Sequence, residues 1–519
     1  MNRKRKCILL AVLLSALVFL NACGGQTPSH SRHDGTKTFI FGDTTFNAEN
    51  GIADINPHNS SGGWGCIRYG VGETLFRFTD SMEMEPWLAE NWEHTDDVTW
   101  KIKIKEGITF TSGRKVDAAA VKECLEALME AHPRAAGDLH IKAMEAGEQT
   151  LTIRTDIPVP ALPSYLADPY SCIIDMEEGV DEDGIVCGTG PYEAVSLETD
   201  QRLVLVKNKN YWDGEPNIDM IIIRNISDGD TLTAALQSGE IDAAYGIPYL
   251  SYPLFENENY IFTGCSTSRV FFGAMNFESP ITSDPAVRKA IAMGIDKEGF
   301  VKALMNGNGE AASGVYPENF SFGGKMVHTE TYDPEEAKAV LEEAGWTDRD
   351  GDGVREKDGV PLVLRWLTYP SRQELPLLAE SAQATLGEIG IRVEINNTPD
   401  HSSVCADKNA WDIYVSAMVT APTGDPEYFF NYHCLDSSAH NDGGYHSDRL
   451  EALAQKLSGT FDTEKRAKLA VRMQQTLLDD NACVFVAHLR MNMIARAGVT
   501  GLTAHPCDYY EITAELDVK

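Results

Sequence analysis

The chain has 519 residues, 43% hydrophobic and 24% charged, an ordinary globular composition with enough length for two or three hydrophobic cores. Its formal net charge of −34 at pH 7 repels nucleic acid and anionic lipid headgroups, so neither is expected as a partner of the folded body. Eleven cysteines are scattered without a C-x-x-C pair, which excludes a zinc ribbon and argues against a disulfide framework; most are expected as small buried apolar side chains.

The chain opens with Met1-Asn2-Arg3-Lys4-Arg5-Lys6, followed by an apolar run from Cys7 to Leu20 and then Asn21-Ala22-Cys23-Gly24-Gly25. The basic cluster stays on the inner side of a membrane, and the run suits the apolar part of an export signal while being too short to span as a helix. Leu20 three positions before Cys23, with the small Ala22 directly before it, resembles the lipobox of bacterial lipoproteins; Asn21 departs from its commonest form. The expectation is a signal peptide over 1–22, a mature chain beginning at an acylated Cys23, and a polar tether over 23–36. Such a protein sits on the extracytoplasmic face of the cell membrane, in the periplasm where the cell has an outer membrane.

From residue 37 onward, short β-rich runs alternate with amphipathic helices. β-branched content and alternation predict strands over 38–41, 99–104, 150–155, 202–207 and 220–226. A helix over 117–130 has Asp117 as N-cap and Val121, Leu125 and Leu128 on one face. Asp284-Pro285 and Asp333-Pro334 open helices over 286–293 and 335–343 with proline in the first turn, the latter stopping at Gly345. Further helices are expected over 375–389, 449–457 and 462–478, so the fold class is α/β, with no internal repeat. Asp348, Asp350, Asp352 and Gly353 match the opening of an EF-hand calcium loop, but the twelfth position is Gly359 rather than a bidentate glutamate. An exposed Asp/Gly hairpin is the expectation there.

A series of segments in order then resembles a known family. It begins with Ile55-Asn56-Pro57-His58, Gly72-Glu73-Thr74-Leu75-Phe76-Arg77 and Glu85-Pro86-Trp87-Leu88-Ala89-Glu90-Asn91-Trp92. It continues through Glu106-Gly107-Ile108-Thr109-Phe110, Gly188-Thr189-Gly190-Pro191-Tyr192 and Asn210-Tyr211-Trp212-Asp213-Gly214. Leu236-Gln237-Ser238-Gly239-Glu240-Ile241-Asp242, Pro285-Ala286-Val287-Arg288 and Glu342-Glu343-Ala344-Gly345-Trp346 complete it. Together these resemble the family 5 solute-binding proteins of ABC importers, which carry peptides, nickel and opines. The resemblance implies a two-lobed periplasmic-binding-protein-like fold with a hinge and an extra subdomain in the first lobe. It places the first lobe at 37–270, with the subdomain at about 56–184, the second lobe at 271–489, and a C-terminal return to the first lobe at 490–519. It also implies a monomer that encloses a solute and hands it to permease and ATPase subunits. The tryptophans of these segments adjoin apolar strand or helix ends, so core anchoring is their expected role.

Peptide-binding members place an aspartate for the ligand's α-amino group three residues before an acidic-Pro pair. Here the pair is Asp425-Pro426, Asp425 being an expected ligand contact, and three residues back stands Pro422. A desolvated ammonium without a partner costs several kcal/mol. The Ala421-Pro422 and Asp425-Pro426 arrangement looks closer to the nickel branch, whose metal arrives chelated by a small molecule. That branch implies a metal-binding histidine from the loop after Asp425: His440 first, then His433, with His446 as a further contact, imidazole being a suitable Ni(II) ligand. Arg134, after the first long helix, matches an arginine that forks a chelator carboxylate. Two features of the nickel branch are missing: a second arginine, where Leu166-Ala167-Asp168-Pro169-Tyr170 stands, and a tryptophan before Ala421-Pro422.

The sequence thus points to a lipid-anchored receptor of an ABC importer that captures a nickel chelate, with a di- or oligopeptide receptor as the alternative. No intrinsic cofactor is expected, the metal being cargo. An enzyme has little support, because there is no Gly-x-Ser-x-Gly elbow, no His-Glu-x-x-His helix and no phosphate loop.

Overall fold

The computed structural model describes residues 35–48, 52–59, 61–80, 82–372 and 374–519. The expected signal peptide, the acylated Cys23 and nearly all of the tether lie outside the described residues. Two compact units divide the chain: unit 1 runs to Cys265 and resumes over Met491–Lys519, and unit 2 is Ser266–Arg490. Among the described residues no helix is long and apolar enough to cross a membrane.

Unit 1 contains two larger sheets, besides two-stranded pairings of Phe76–Phe78 with Met84–Pro86 and of Val499–Thr500 with Asp517–Val518. The first is built on β1 (Thr38–Asp43), whose Phe39 and Phe41 are fully buried. The second is an antiparallel four-stranded sheet of β2 (Ala89–Asp96), β3 (Thr99–Ile104), β4 (Ile141–Ala146) and β5 (Thr150–Thr155), in the order β2-β3-β5-β4. Helix α1 (Gly62–Arg68) precedes this sheet, and α2 (Ala118–Ala131) lies between β3 and β4 and packs on β4 and β5. Asp117 caps α2 as expected, accepting from the amides of Ala119 and Ala120 at 3.0 and 2.9 Å. Val121, Leu125 and Leu128 form its buried face. Asp117→Ala is expected to lower the unfolding free energy by about 1 kcal/mol, read as an earlier urea midpoint with unchanged slope.

The first sheet continues with β6 (Tyr192–Glu198), β7 (Arg202–Lys207) and β8 (Met220–Asn225). It is completed by β9 (Ala243–Tyr245), which follows α3 (Gly229–Ser238). β1 runs parallel to β8, with Ile40 opposite Ile222, and to β9, with Phe41 opposite Ala243, whereas β8, β7 and β6 pair antiparallel. Gly42 lets α3 approach closely: a Cβ there would stand 2.6 Å from Leu232 Cδ1 and 2.7 Å from Ile241 Cδ1.

In unit 2 the chain runs through β10 (Tyr260–Met275), α4 (Pro285–Gly294), β11 (Gly309–Ala311) and α5 (Pro334–Glu343). It continues with β12 (Val363–Thr368), α6 (Glu374–Glu388), β13 (Arg392–Asn397), β14 (Ile413–Val419) and α7 (Glu427–His433). α8 (Asp448–Ser458), α9 (Thr463–Asp479) and β15 (Cys483–Arg496) follow. β12 is parallel to both β13 and β14, and β14 is antiparallel to β10, with Phe271 opposite Ala417. Trp366 and Trp411 anchor this core with no exposure. Asp284, Asp333 and Asp462 cap α4, α5 and α9, and Gly345 closes the turn after α5 at φ +90°.

The chain passes between the units twice, within β10 and within β15. The returning Met493–Ala495 pairs with β9 in unit 1. Beyond it, the Ile512 amide donates to the Arg68 carbonyl, and Glu511 pairs with Arg68 Nε at 3.2 Å. The nine cysteines from Cys66 onward are thiols, seven of them buried. Of the tryptophans expected as core anchors, Trp87, Trp100 and Trp346 are buried, whereas Trp92 and Trp212 are half-buried, the latter donating to Glu73. The 348–353 turn is an exposed Asp/Gly hairpin, with Asp348 accepting from the amides of Gly351 and Gly353. Asp348, Asp350 and Glu356 bring carboxylate oxygens within 4.8 Å of one another, short of the six to eight oxygens calcium takes.

Candidate functional site

In open α/β sheets ligands bind beyond the carboxyl ends of parallel strands. In unit 2 those ends are Thr368, Asn397 and Val419, where β12, β13 and β14 hand over to loops. The loop after β14, Thr420 to Pro426, leads directly into α7.

Asp425 fixes this loop from inside. Its carboxylate accepts from the Glu427 amide at 2.9 Å and takes both Nε and Nη2 of Arg466, at 2.9 and 2.6 Å. Arg466 also donates to Glu427 at 2.8 Å and to the carbonyls of Leu457 and Thr460, so all three charges are buried and mutually satisfied. Asp425, expected as a ligand contact, is thus committed to Arg466 and serves to seat α7 on α9.

One face of α7 is core: Phe429 and Phe430 are fully buried. Tyr428 and Tyr432, four residues apart, stack at 5.6 Å on another face. His433 closes the helix with its ring 5.3 Å from both Phe272 and Phe429 and 4.9 Å from Tyr432. Its Nδ1 lies 3.3 Å from the His440 carbonyl oxygen, and its Nε2 is in contact with Met418 Sδ. Burial pushes His433 down to about 4, so the ring is neutral at pH 7.

His440 is exposed, stacks on Tyr432 at 4.5 Å and lies 6.0 Å from the His433 ring. The two histidines line a cavity of about 20 Å³ together with Phe272, Asn441, Asp442 and Tyr445, room for one water-sized body. His433 and His440 are therefore brought together, whereas His446 is held elsewhere. Its Nδ1 is 3.0 Å from both Asp436 oxygens and its Nε2 is 3.5 Å from Asp448; the hydrogen bond to Asp436 shifts it upward, favouring the protonated ring that binds no metal.

Arg134 belongs to unit 1. It donates from Nη2 to Asp168 at 2.9 Å, lies 3.4 Å from Asp138 through Nε, and rests over the Tyr170 ring at 5.1 Å. Tyr170 in turn donates to Asp138, whose carboxyl burial pushes up to about 6 against the pull of Arg134. The segment that lacks the second arginine thus supplies the acid and the ring that position the first. Two participants escaped the sequence reading, Met418 and Tyr432. The period-two alternation of β14, which puts Tyr414, Ser416 and Met418 on one face, and the four-residue spacing of Tyr428 and Tyr432 were the available signals.

The model of the bacterial extracellular solute-binding proteins, family 5 Middle, matches residues 83–441. The chain belongs to this family. It is a solute-binding protein of an ABC importer, of the group that takes nickel and peptides, and its relatives are binding proteins rather than enzymes. The nickel-binding protein NikA of Staphylococcus aureus is 27% identical over 465 residues, 89% of each chain. The oligopeptide-binding protein AppA of Bacillus subtilis is 24% identical over 98% of each. A crystal structure of a nickel ABC transporter protein from Bacillus halodurans is 31% identical with a TM-score of 0.79, the match covering 93% of this chain and all of that one. The α/β class and the family fold expected from the sequence are those found. Members of this family are extracytoplasmic and work with permease and ATPase subunits.

Proposed function

We propose that this family 5 protein is the lipid-anchored receptor for nickel held in a small-molecule chelate, which it passes to the permease of its importer. The observation that carries the reading is the pairing of a neutral, half-buried His433, at the end of α7, with an exposed His440 seven residues on, two imidazoles suited to Ni(II) with rings 6.0 Å apart. Arg134 is the proposed contact for a chelator carboxylate, which would take the place of Asp168 on its guanidinium fork. The S. aureus and B. halodurans relatives, both named for nickel, support the same choice. Against a zwitterionic peptide stand Pro422 at the position of the ammonium-binding acid and the neutralisation of nearby Asp425 by Arg466.

Calorimetric titration of the protein from residue 24 onward tests this. Saturable heat is expected with nickel plus excess histidine, and none with nickel alone or with a pool of di- and tripeptides. His440→Ala and Arg134→Ala are each expected to weaken binding at least about tenfold, or about 1.4 kcal/mol. Heat from peptides and none from the nickel chelate would instead assign the protein to the oligopeptide receptors, as in the AppA relative.

A further inference from the structure

The second sheet of unit 1 is a detour of the chain, left and re-entered at one neck. The chain goes out toward β2 just after Gly72-Glu73 and returns from β5 through the single turn Pro169–Ser171 to Cys172-Ile173. There the Ile173 amide donates to the Glu73 carbonyl at 2.8 Å. α1 presses on that turn, since a Cβ at Gly63 would stand 2.5 Å from the Pro169 carbonyl oxygen. Cys66 of α1 and Cys172 meet at the neck, both without exposure. A Cβ at Gly72 would stand 2.5 Å from the Cys66 sulfur, 3.5 Å from the Cys172 sulfur and 3.2 Å from Cys172 Cβ. The two sulfurs therefore lie within about 6 Å of each other around that glycine, and the thiols hydrogen-bond. The side chain that Gly72 lacks leaves them room to rotate together.

A third thiol, Cys124 of α2, is engaged differently. Its sulfur lies 3.6 Å from both His58 Nε2 and the Cys172 carbonyl oxygen and accepts from the Ile174 amide at 3.4 Å. Among the described residues the three sulfurs do not all fall within 4.8 Å of one another, so they are not arranged to share one metal ion. Burial holds the Cys172 thiol protonated, well above its ordinary range, so the folded pair is inert and a bond between the two has to be made while the chain folds. We propose that Cys66 and Cys172 are joined by a disulfide during folding, a clasp across the neck of the second sheet. In the unfolded chain the thiolate of one cysteine attacks a small-molecule or protein disulfide and releases one thiol; the other cysteine then attacks the mixed disulfide and releases the second. Two cysteine thiols become one disulfide, and their two protons and two electrons leave on the donor as two thiols. The extracytoplasmic setting of the family is where such donors persist. The clasp encloses roughly a hundred residues, a loop long enough to remove much freedom from the unfolded chain. It rests on family membership and not on the nickel-chelate reading.

The test needs only the wild-type protein from residue 24 onward. It is unfolded and reduced, then refolded in buffers of stepped glutathione and glutathione disulfide, and a second set is incubated in the same buffers with urea. Free thiols are alkylated in denaturant, and the chain is digested without reduction. Trypsin leaves Cys66 in the peptide 38–68 but Cys172 and Cys187 together in 155–202, so a glutamate-specific protease, cutting at Glu177 and Glu178, separates the latter two. Mass spectrometry is expected to find the Cys66 and Cys172 peptides linked to each other after refolding. The value of [GSH]²/[GSSG] at which half the pair is linked is expected to be at least about tenfold higher in buffer than in urea, because the fold brings the sulfurs together. Alkylation of both cysteines at every ratio, or linkage of either to Cys124 in place of the other, overturns the clasp. Equal half-points in buffer and urea overturn it too, since the pairing would then owe nothing to the fold.

Discussion

Replacing Arg466 by leucine is expected to lower the unfolding free energy by about 3–5 kcal/mol, because it leaves two buried carboxylates facing each other without a cation. Asp425 and Glu427 are only 8% and 7% exposed, and each receives a guanidinium hydrogen bond under 3 Å. Water cannot easily replace those bonds. The same change removes a guanidinium donor from the carbonyls of Leu457 and Thr460, which no hydrophobic side chain can replace, although Leu457 keeps the Thr460 amide at 3.1 Å. Urea denaturation measures the loss, and adding Asp425→Asn and Glu427→Gln to the leucine variant is expected to restore part of it by removing the uncompensated charge. A loss below about 1 kcal/mol for the single variant would mean that the cluster is hydrated and does not hold α7 rigidly. Because α7 carries His433, the proposed metal-chelate binding is expected to weaken in parallel.

The second large effect is a pH dependence centred on Glu73. This carboxylate is fully buried and accepts from Thr189 Oγ1 at 2.7 Å, Tyr211 OH at 2.7 Å and Trp212 Nε1 at 2.8 Å, all neutral donors. Burial outweighs the three hydrogen bonds and pushes Glu73 up to about 7, from 4.5 in an exposed chain. Between those values the folded protein holds a proton that the unfolded chain has released. The contribution of Glu73 to stability is therefore full below about pH 4.5 and is lost as pH rises to about 7, a total of about 3 kcal/mol. Glu73→Gln imitates the protonated group, its amide nitrogen donating to the Tyr211 oxygen. The difference in unfolding free energy between variant and wild type is expected to grow by that amount in favour of the variant from pH 4.5 to 8. A pH-independent difference would show that Glu73 remains ionised in the fold.

Local signals carried most of the architecture. Alternation placed β3, β5 and β7 at their observed limits, and aspartates before apolar periodic runs marked the starts of α2, α4 and α5. Each of these depends on residues within a few positions of one another. The site depends on partners far apart in sequence, which spacing does not encode. Asp425 looked available because its partner, Arg466, lies on a helix two elements later. Arg134 looked like a surface side chain or a ligand contact until Asp168 and Tyr170 were folded beneath it. His433, His440 and His446 were ranked by the family resemblance alone, the local sequence giving no reason to separate them; packing against Phe272 and Phe429 sets the first apart, and Asp436 holds the third elsewhere. Met418 carried no mark beyond its place in an alternating strand.

The return of Met491–Lys519 to unit 1 governs when that unit can exist. Its sheet takes Met493–Ala495 beside β9, and Arg68, which pairs with the buried Asp43 of β1, takes its second buried acid from Glu511, more than 400 residues later in the sequence. Synthesis must therefore pass Glu511 before these contacts of unit 1 can form, since no nascent chain that stops earlier contains both the strand and the acid. Contacts of such separation also form slowly, because the intervening chain has to be gathered first. An unfinished chain consequently stays open during synthesis, a condition that suits passage through a translocation channel wide enough only for an unfolded thread.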